Sequence, residues 1–222
     1  MRGVYCTREI SEGLSISPET VRARLRELLP GSRIYVLDQV HSDGIVLAQE
    51  LAPDDIPSAD GIISRDSDVV LCIRTADCVP VLLWVDDMPI IGAVHAGWRG
   101  LAKGIVKKGI EYMHSFGATK IHAGIGPCIG PCCYEVGRNV VDAIGTEEVI
   151  HAGHSMYLDL AGAALSQCLE AGLMNHMVHN VNVCTSCHPG QFFSYRRDGD
   201  AAGRNLSLIG GKSWSLPGLQ AE

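Results

Sequence analysis

Four short apolar runs, at 69–74, 81–85, 90–94 and 121–125, hold few polar positions and end in segments rich in glycine, proline or aspartate. Continuous apolarity over five or six residues predicts strands buried on both faces, unlike the alternation of a strand with one wet side. Asp86-Asp87-Met88-Pro89, between the second and third runs, predicts a hairpin. Further strands are predicted at 34–40 and 44–49, joined by the turn-prone Ser42-Asp43-Gly44, and at 177–183. The tail from 192 to 209 is polar and strand-like.

A helical period occupies other segments. Ser17-Pro18-Glu19 predicts a helix start, with a hydroxyl to cap free amides, proline at the first position and an acid at the positive end of the dipole. That helix runs to about Leu29 and stops at Pro30-Gly31. Leu101, Ile105, Val106, Ile110 and Met113, with lysines between them, predict one helix over 101–114. Segments 136–144 and 158–171 also read as helical, whereas Gly126-Pro127-Cys128-Ile129-Gly130-Pro131 predicts a loop over the sheet.

Composition narrows the class. A chain of 222 residues that is 46% hydrophobic builds one substantial core, so a single α/β domain over 1–222 is expected. The net charge of -7, with Lys and Arg scattered, argues against nucleic acid or an anionic membrane and for a small-molecule partner. No apolar run approaches the roughly 18 residues of a membrane span, and the first nine residues lack a signal peptide's apolar middle. A cytoplasmic protein is expected. Nine cysteines, an odd number without regular spacing, read mostly as free thiols. Cys128, Cys132, Cys133, Cys184 and Cys187 are expected to be small buried or loop thiols, because Cys184-Thr185-Ser186-Cys187 is half a zinc ribbon with no second pair of that spacing.

His41, Cys78 and His95 each stand where a strand pattern breaks into a turn. Two imidazoles and one thiolate around zinc leave a fourth position for water or substrate, whereas a structural site fills all four. Three other readings use the same residues. Cys78 as nucleophile, with His95 as base and His41 orienting the pair, would make a metal-free Cys-His hydrolase. Copper, with Met88 or Met156 as axial ligand, would make an oxidase, although the remaining histidines show no paired His-X-His cluster for oxygen reduction. A non-enzymatic binding module stapled by zinc would need a fourth ligand, with Cys128 and Cys184 the candidates.

A longer set of segments carries a resemblance. Gln39-Val40-His41, Ala59-Asp60-Gly61, Thr75-Ala76-Asp77-Cys78-Val79-Pro80, His95-Ala96-Gly97-Trp98-Arg99-Gly100, Gly126-Pro127-Cys128-Ile129-Gly130, Cys133-Tyr134-Glu135-Val136-Gly137, Cys184-Thr185, Ser194-Tyr195-Arg196-Arg197-Asp198 and Gly203-Arg204 follow in order over about 39–209. On them the chain resembles the YfiH family, variously called laccase-domain, polyphenol oxidase or purine nucleoside phosphorylase proteins. The resemblance implies a four-layer α/β/β/α fold with mixed sheets and places zinc on His41, Cys78 and His95. It also implies phosphorolysis of adenosine, inosine and 5′-methylthioadenosine, with adenosine deamination in some members. Copper-dependent phenol oxidation and correction of a cell-wall precursor are other assignments in the same family. The N-terminal portion is shorter than usual, and Val21-Arg22-Ala23-Arg24 has Ala23 where the family has asparagine, with Arg24 aligning to its arginine.

Phosphorolysis needs an anion held beneath the ribose, a task for planar guanidinium forks. Arg99, Arg196, Arg197 and Arg204 are the candidates within the matched segments, and Arg24 by alignment. Deamination needs a proton shuttle, for which Glu135 and Asp77 are nearest by motif; Asp77 is assigned a structural role and Glu135 stays open.

Overall fold

Alternation along the buried strands sends their side chains into different cores. In Val69–Thr75 (β5), Val70 and Cys72 face one way, while Val69, Leu71 and Ile73 face the other. The computed structural model describes residues 2–6, 8–11, 17–52, 54–145 and 148–210. Parts of the stretch read for a signal peptide, and the last twelve residues of the expected 1–222 domain, lie outside them.

With strands and helices numbered along the chain, the described residues form three sheets. The first has the order β1-β13-β5-β2, from Arg2–Cys6 (β1), Asn205–Gly210 (β13), β5 and Arg33–Val36 (β2); β2 and β5 are parallel and the other pairs antiparallel. The second has the order β12-β8-β6-β7-β4-β3. Its members are Val178–Asn180 (β12), Ile121–Ile125 (β8), Val79–Val85 (β6), Ile91–Ala96 (β7), Gly61–Ser64 (β4) and Ile45–Leu47 (β3), with only the two outer pairs parallel. Val149–Ala152 (β10), Ser155–Leu158 (β11) and Glu135–Val136 (β9) form a small antiparallel third sheet.

Seven helices complete the described fold: Arg8–Ser11 (α1), Pro18–Leu28 (α2), Trp98–Ala102 (α3), Ile105–Ser115 (α4), Arg138–Ile144 (α5), Leu160–Glu170 (α6) and Tyr195–Asp198 (α7). Val21, Leu25 and Leu29 on and beside α2 cover the outer face of the first sheet through Ile34, Val36, Val70, Cys72, Leu206 and Leu208. The inner faces meet through Leu71, Ile73 and Ile209 on one side and Ile62, Leu82, Ile91 and Ala93 on the other. Val81, Leu83 and Val94 on the far face of the second sheet receive Ile105, Ile110 and Met113 of α4 and Leu160 and Ala164 of α6. Each buried Val, Leu, Ile or Met side chain among them contributes about 1.5–3 kcal/mol. The layers are therefore α/β/β/α in one mixed α/β domain, as expected. Among the described residues no helix is long and apolar enough to cross a membrane.

Several local expectations are corrected. The single 101–114 helix is two, α3 and α4, because Gly104 takes a left-handed φ of 75°. Gln167 repairs the break, donating to the Leu101 carbonyl at 2.6 Å and accepting from the Val106 amide at 3.1 Å. The 34–40 strand stops at Val36 and 44–49 holds only the three residues of β3, since the chain between them crosses from one sheet to the other. The 136–144 segment begins as β9 and becomes α5 only after Gly137. The hairpin of β10 and β11 went unpredicted, and α6 starts two residues late under an Asp159 cap. The 177–183 strand shortens to β12. The tail is a short helix capped by Ser194 followed by β13, whose six residues are all buried.

Candidate active site

Connections between the two large sheets build the site. His41 lies in the crossing from β2 to β3, and Cys78 ends the Ala76-Asp77-Cys78 turn that crosses from β5 to β6. His95 is the fifth residue of β7 rather than the residue after it, paired in register with Pro80 of β6. Cys78 Sγ stands 3.9 Å from His41 Nε2, the two imidazoles meet edge-on at 4.9 Å, and one donor atom from each of the three residues lies within 4.8 Å of the others. His41 is exposed, Cys78 half-buried and His95 buried, so the group opens outward on one side.

Asp60, fully buried at the start of β4, holds this arrangement. Its carboxylate accepts from the amides of Val40 (3.3 Å), His41 (3.0 Å) and Ser42 (2.5 Å), from Ser42 Oγ (2.8 Å) and from His95 Nδ1 (2.7 Å). One side chain thus fixes the His41 loop and turns the Nε2 of His95 away from itself. Backbone strain is concentrated here: His41 has φ 58° and Asp77 φ 87°, a region that costs a non-glycine residue about 1–2 kcal/mol. The Asp77 turn is held in turn by its carboxylate, which accepts from Thr185 Oγ1 (2.6 Å), Ser194 Oγ (3.1 Å) and the Arg196 amide (2.7 Å). That geometry matches the structural role expected for Asp77.

Burial alone would raise the Cys78 thiol, yet the positive charge of His95 and hydrogen bonds from His41 and His95 outweigh it and bring it down to about 6. Burial likewise opposes a charge on His95, but the Cys78 thiolate and Asp60 push it up to about 9. Cys78 is accordingly a thiolate at neutral pH, the form required of a metal ligand or a nucleophile.

These groups line a cavity of about 520 Å³. Arg74, Arg99, Arg196 and Arg204 bring four guanidinium groups to its wall, and Trp98, Tyr134 and Tyr195 three aromatic rings. Arg99 stacks 4.4 Å over Trp98, and Arg196 stacks 5.1 Å over Tyr134 while donating to the carbonyls of Cys133 and Glu135. Arg204 donates to the carbonyls of Ala202 and Gly203, both at 2.9 Å.

Of the residues chosen from sequence, His41, Cys78, His95, Arg99, Arg196 and Arg204 come together. Arg24 does not: it lies on the exposed face of α2, paired at 3.0 Å with Glu27 one turn on. Glu135 is also outside the wall, exposed on β9 and contributing its carbonyl to Arg196 rather than its carboxylate to the cavity. Arg197 is turned away, donating to Thr185, Ser186 and Phe192 carbonyls and paired with Asp198. Asp60 and Arg74 were missed. Asp60 had only its place in a matched segment as a signal, and Arg74 was absorbed into the end of an apolar run.

The donor set fits a tetrahedral metal. The 3.9 Å between Cys78 Sγ and His41 Nε2 is close to the roughly 3.6 Å that tetrahedral zinc sets between a sulfur and a nitrogen ligand. The His95–Asp60 hydrogen bond is the carboxylate support that metal-bound imidazoles ordinarily have. Neither Cys128 nor Cys184 joins the three among the described residues, so the stapled-module reading lacks its fourth ligand. Met88 and Met156 do not line the cavity.

The family described as "Multi-copper polyphenol oxidoreductase laccase" matches residues 11–212. The chain belongs to this laccase-domain, YfiH-type family. It is similar to the purine nucleoside phosphorylase YlmD of Geobacillus stearothermophilus, 35% identical over 85% of this chain and 77% of the relative. A purine nucleoside phosphorylase of Clostridium acetobutylicum is 35% identical over 92% and 89%. Among solved structures, Geobacillus stearothermophilus YlmD superposes with a TM-score of 0.80 at 32% identity, covering 92% of this chain and 85% of that one. Bacillus licheniformis YfiH gives 0.83 at 26% identity, covering 95% and 92%.

Within this laccase-domain protein Gly97 separates two of the donors. A Cβ there would stand 3.1 Å from both Cys78 Sγ and His41 Cδ2, on a backbone that any residue can adopt. Gly97→Ala is expected to keep the fold and weaken metal binding by about tenfold, the scale of a disturbed ligand environment. Metal titration alongside thermal unfolding checks this.

Proposed function

We propose that this protein is a zinc-dependent purine nucleoside phosphorylase, splitting adenosine, inosine and 5′-methylthioadenosine with inorganic phosphate. The observation that carries the reading is one cavity that joins four guanidinium groups to the His41, Cys78 and His95 trio beside three aromatic rings. The names of the relatives support it. His41, Cys78 and His95 would hold the metal, and a divalent ion bound there supplies positive charge that polarises an adjacent substrate atom.

In the reaction a phosphate oxygen forms a bond to C1′ as the bond from C1′ to N9 breaks, and that electron pair leaves with the purine, which takes up a proton. The arginines bind and orient phosphate, matching its oxygens with planar donors. Trp98, Tyr134 and Tyr195 offer faces for the base. Burial, reinforced by the Cys78 thiolate, pushes Tyr134 up to about 12, so its hydroxyl stays protonated and can serve the purine as a hydrogen-bond donor rather than as a proton source. The free cysteines among the described residues suit the reducing cytoplasm in which such substrates occur.

The test is incubation of metal-replete protein with each nucleoside, with and without phosphate, followed by identification of free base, sugar phosphate and ammonia. Phosphate-dependent base and sugar phosphate support the proposal; ammonia alone would leave only adenosine deamination. A second reading, the Cys-His nucleophile, is favoured by the depressed Cys78 thiol beside His95 and Asp60. Full activity in strong chelator, with Cys78 trapped covalently, would select it. Arg99→Ala is expected to raise KM for phosphate about tenfold or more, since a hydrogen bond to a charged group contributes about 1.5–3 kcal/mol. Little change in nucleoside KM is expected from the same steady-state kinetics.

A further inference from the structure

Four cysteines outside the active site also converge. Cys132 and Cys133 lie in the turn after the Gly126 to Pro131 loop, and Cys184 and Cys187 in the loop after β12. Their sulfurs all lie within 4.8 Å of one another, with Cys187 at 3.6 Å from Cys132 and 3.4 Å from Cys133. Tetrahedral zinc with four thiolates sets sulfur separations of about 3.8 Å, so the spacing needs only small adjustment.

Two further features belong to a metal knuckle rather than to a chance group of thiols. The amide of Gly130 donates to Cys184 Sγ at 3.2 Å, as expected around a sulfur that carries negative charge. Four thiolates on a divalent ion leave two negative charges, and Arg196 and Arg197 reach the same loops, donating to the carbonyls of Cys133, Thr185 and Ser186. No second pair of the Cys184–Cys187 spacing exists, as the sequence reads; the adjacent Cys132 and Cys133 bring the other two sulfurs through the fold.

We propose that Cys132, Cys133, Cys184 and Cys187 bind a second divalent metal ion, zinc, in a closed four-thiolate site. Binding releases the thiol protons and leaves no position for substrate. Its role is to fasten two loops that back the active-site cavity. The Cys132 turn leads into Tyr134, and the Cys184 loop carries Thr185, which fixes Asp77. The backbones are already paired there, with the Thr185 amide donating to the Cys128 carbonyl at 2.9 Å and the Cys128 amide to the Val183 carbonyl at 3.2 Å.

The experiment uses the full chain purified with reductant and zinc, then freed of excess metal. Two zinc ions per chain are expected in the wild type. One is expected in Cys78→Ala, and one in the double variant Cys132→Ser with Cys187→Ser, both positions being exposed. Cobalt substitution of Cys78→Ala should give the intense thiolate-to-metal absorption of a four-sulfur site. Should the double variant fail to fold, the wild type suffices: zinc should slow alkylation of Cys132 and Cys187 at least tenfold, and chelator should restore it, as read by peptide mass. An unchanged zinc count in a folded double variant would overturn the proposal, as would unaltered alkylation rates. A disulfide among the four in protein purified with reductant would overturn it too. Loss of catalysis plays no part in these readouts, so the catalytic proposal can fail without this one.

Discussion

Cys78→Ala is expected to lose more than about 10²-fold in kcat/KM for phosphate-dependent nucleoside cleavage, exceeding the 10- to 100-fold typical of disturbing a ligand's support. Cys78 is half-buried in a turn, and removing its sulfur opens little core, so thermal unfolding should move by only a few degrees. The thiolate supplies the one negative charge among the three donors, and two imidazoles hold a divalent ion much less firmly without it. Metal content should therefore fall together with activity. Cleavage within tenfold of wild type in a folded, metal-analysed variant would sink both the metal and the nucleophile readings, since each needs this sulfur.

Asp60→Asn should be nearly as damaging to activity and far more damaging to stability. The carboxylate receives donors from Val40, His41, Ser42 and His95 with no exposure to water. An amide keeps one acceptor oxygen and turns an NH₂ group toward some of those donors. Breaking a buried charged pair costs about 3–5 kcal/mol, and losing support to a metal-bound imidazole about 10- to 100-fold in affinity.

The pH dependence of metal-free protein isolates the same residue. Burial would raise Asp60, but hydrogen bonds from His95 and Ser42 prevail and hold it down at about 2. A carboxyl lowered on folding stabilises fully above its unfolded value, about 3.9, and that stabilisation is lost as pH falls toward 2. Urea unfolding of wild type should thus weaken by about 2 kcal/mol more than that of Asp60→Asn between pH 5 and 2. Parallel acid limbs in the two proteins would remove Asp60 from its assigned place.

Sequence by itself determined the strand-rich centre, the capped helix at Pro18 and the hairpin at Asp86 to Pro89, and it singled out His41, Cys78 and His95, which the fold brings together. Hydrophobic runs and turn residues are local signals, and the resemblance supplied the layer order that local signals do not encode. The Gly104 break was invisible because α3 and α4 keep one apolar face on both sides of it, and only Gln167, more than sixty positions away, closes the gap. Arg24 was placed by alignment to a segment that the tertiary structure leaves on the outer face of α2, on the first sheet's side of the molecule. Glu135 lay beside Tyr134 in the chain, but successive side chains of an extended segment point to opposite sides. Asp60 acts through five donors drawn from a loop some twenty residues earlier and a strand thirty-five residues later. The same holds for Cys132 and Cys133, which meet Cys184 and Cys187 across more than fifty positions. Such convergence depends on strand crossings and sheet register, which place distant residues within a few ångströms, and a period read along the chain carries no record of them.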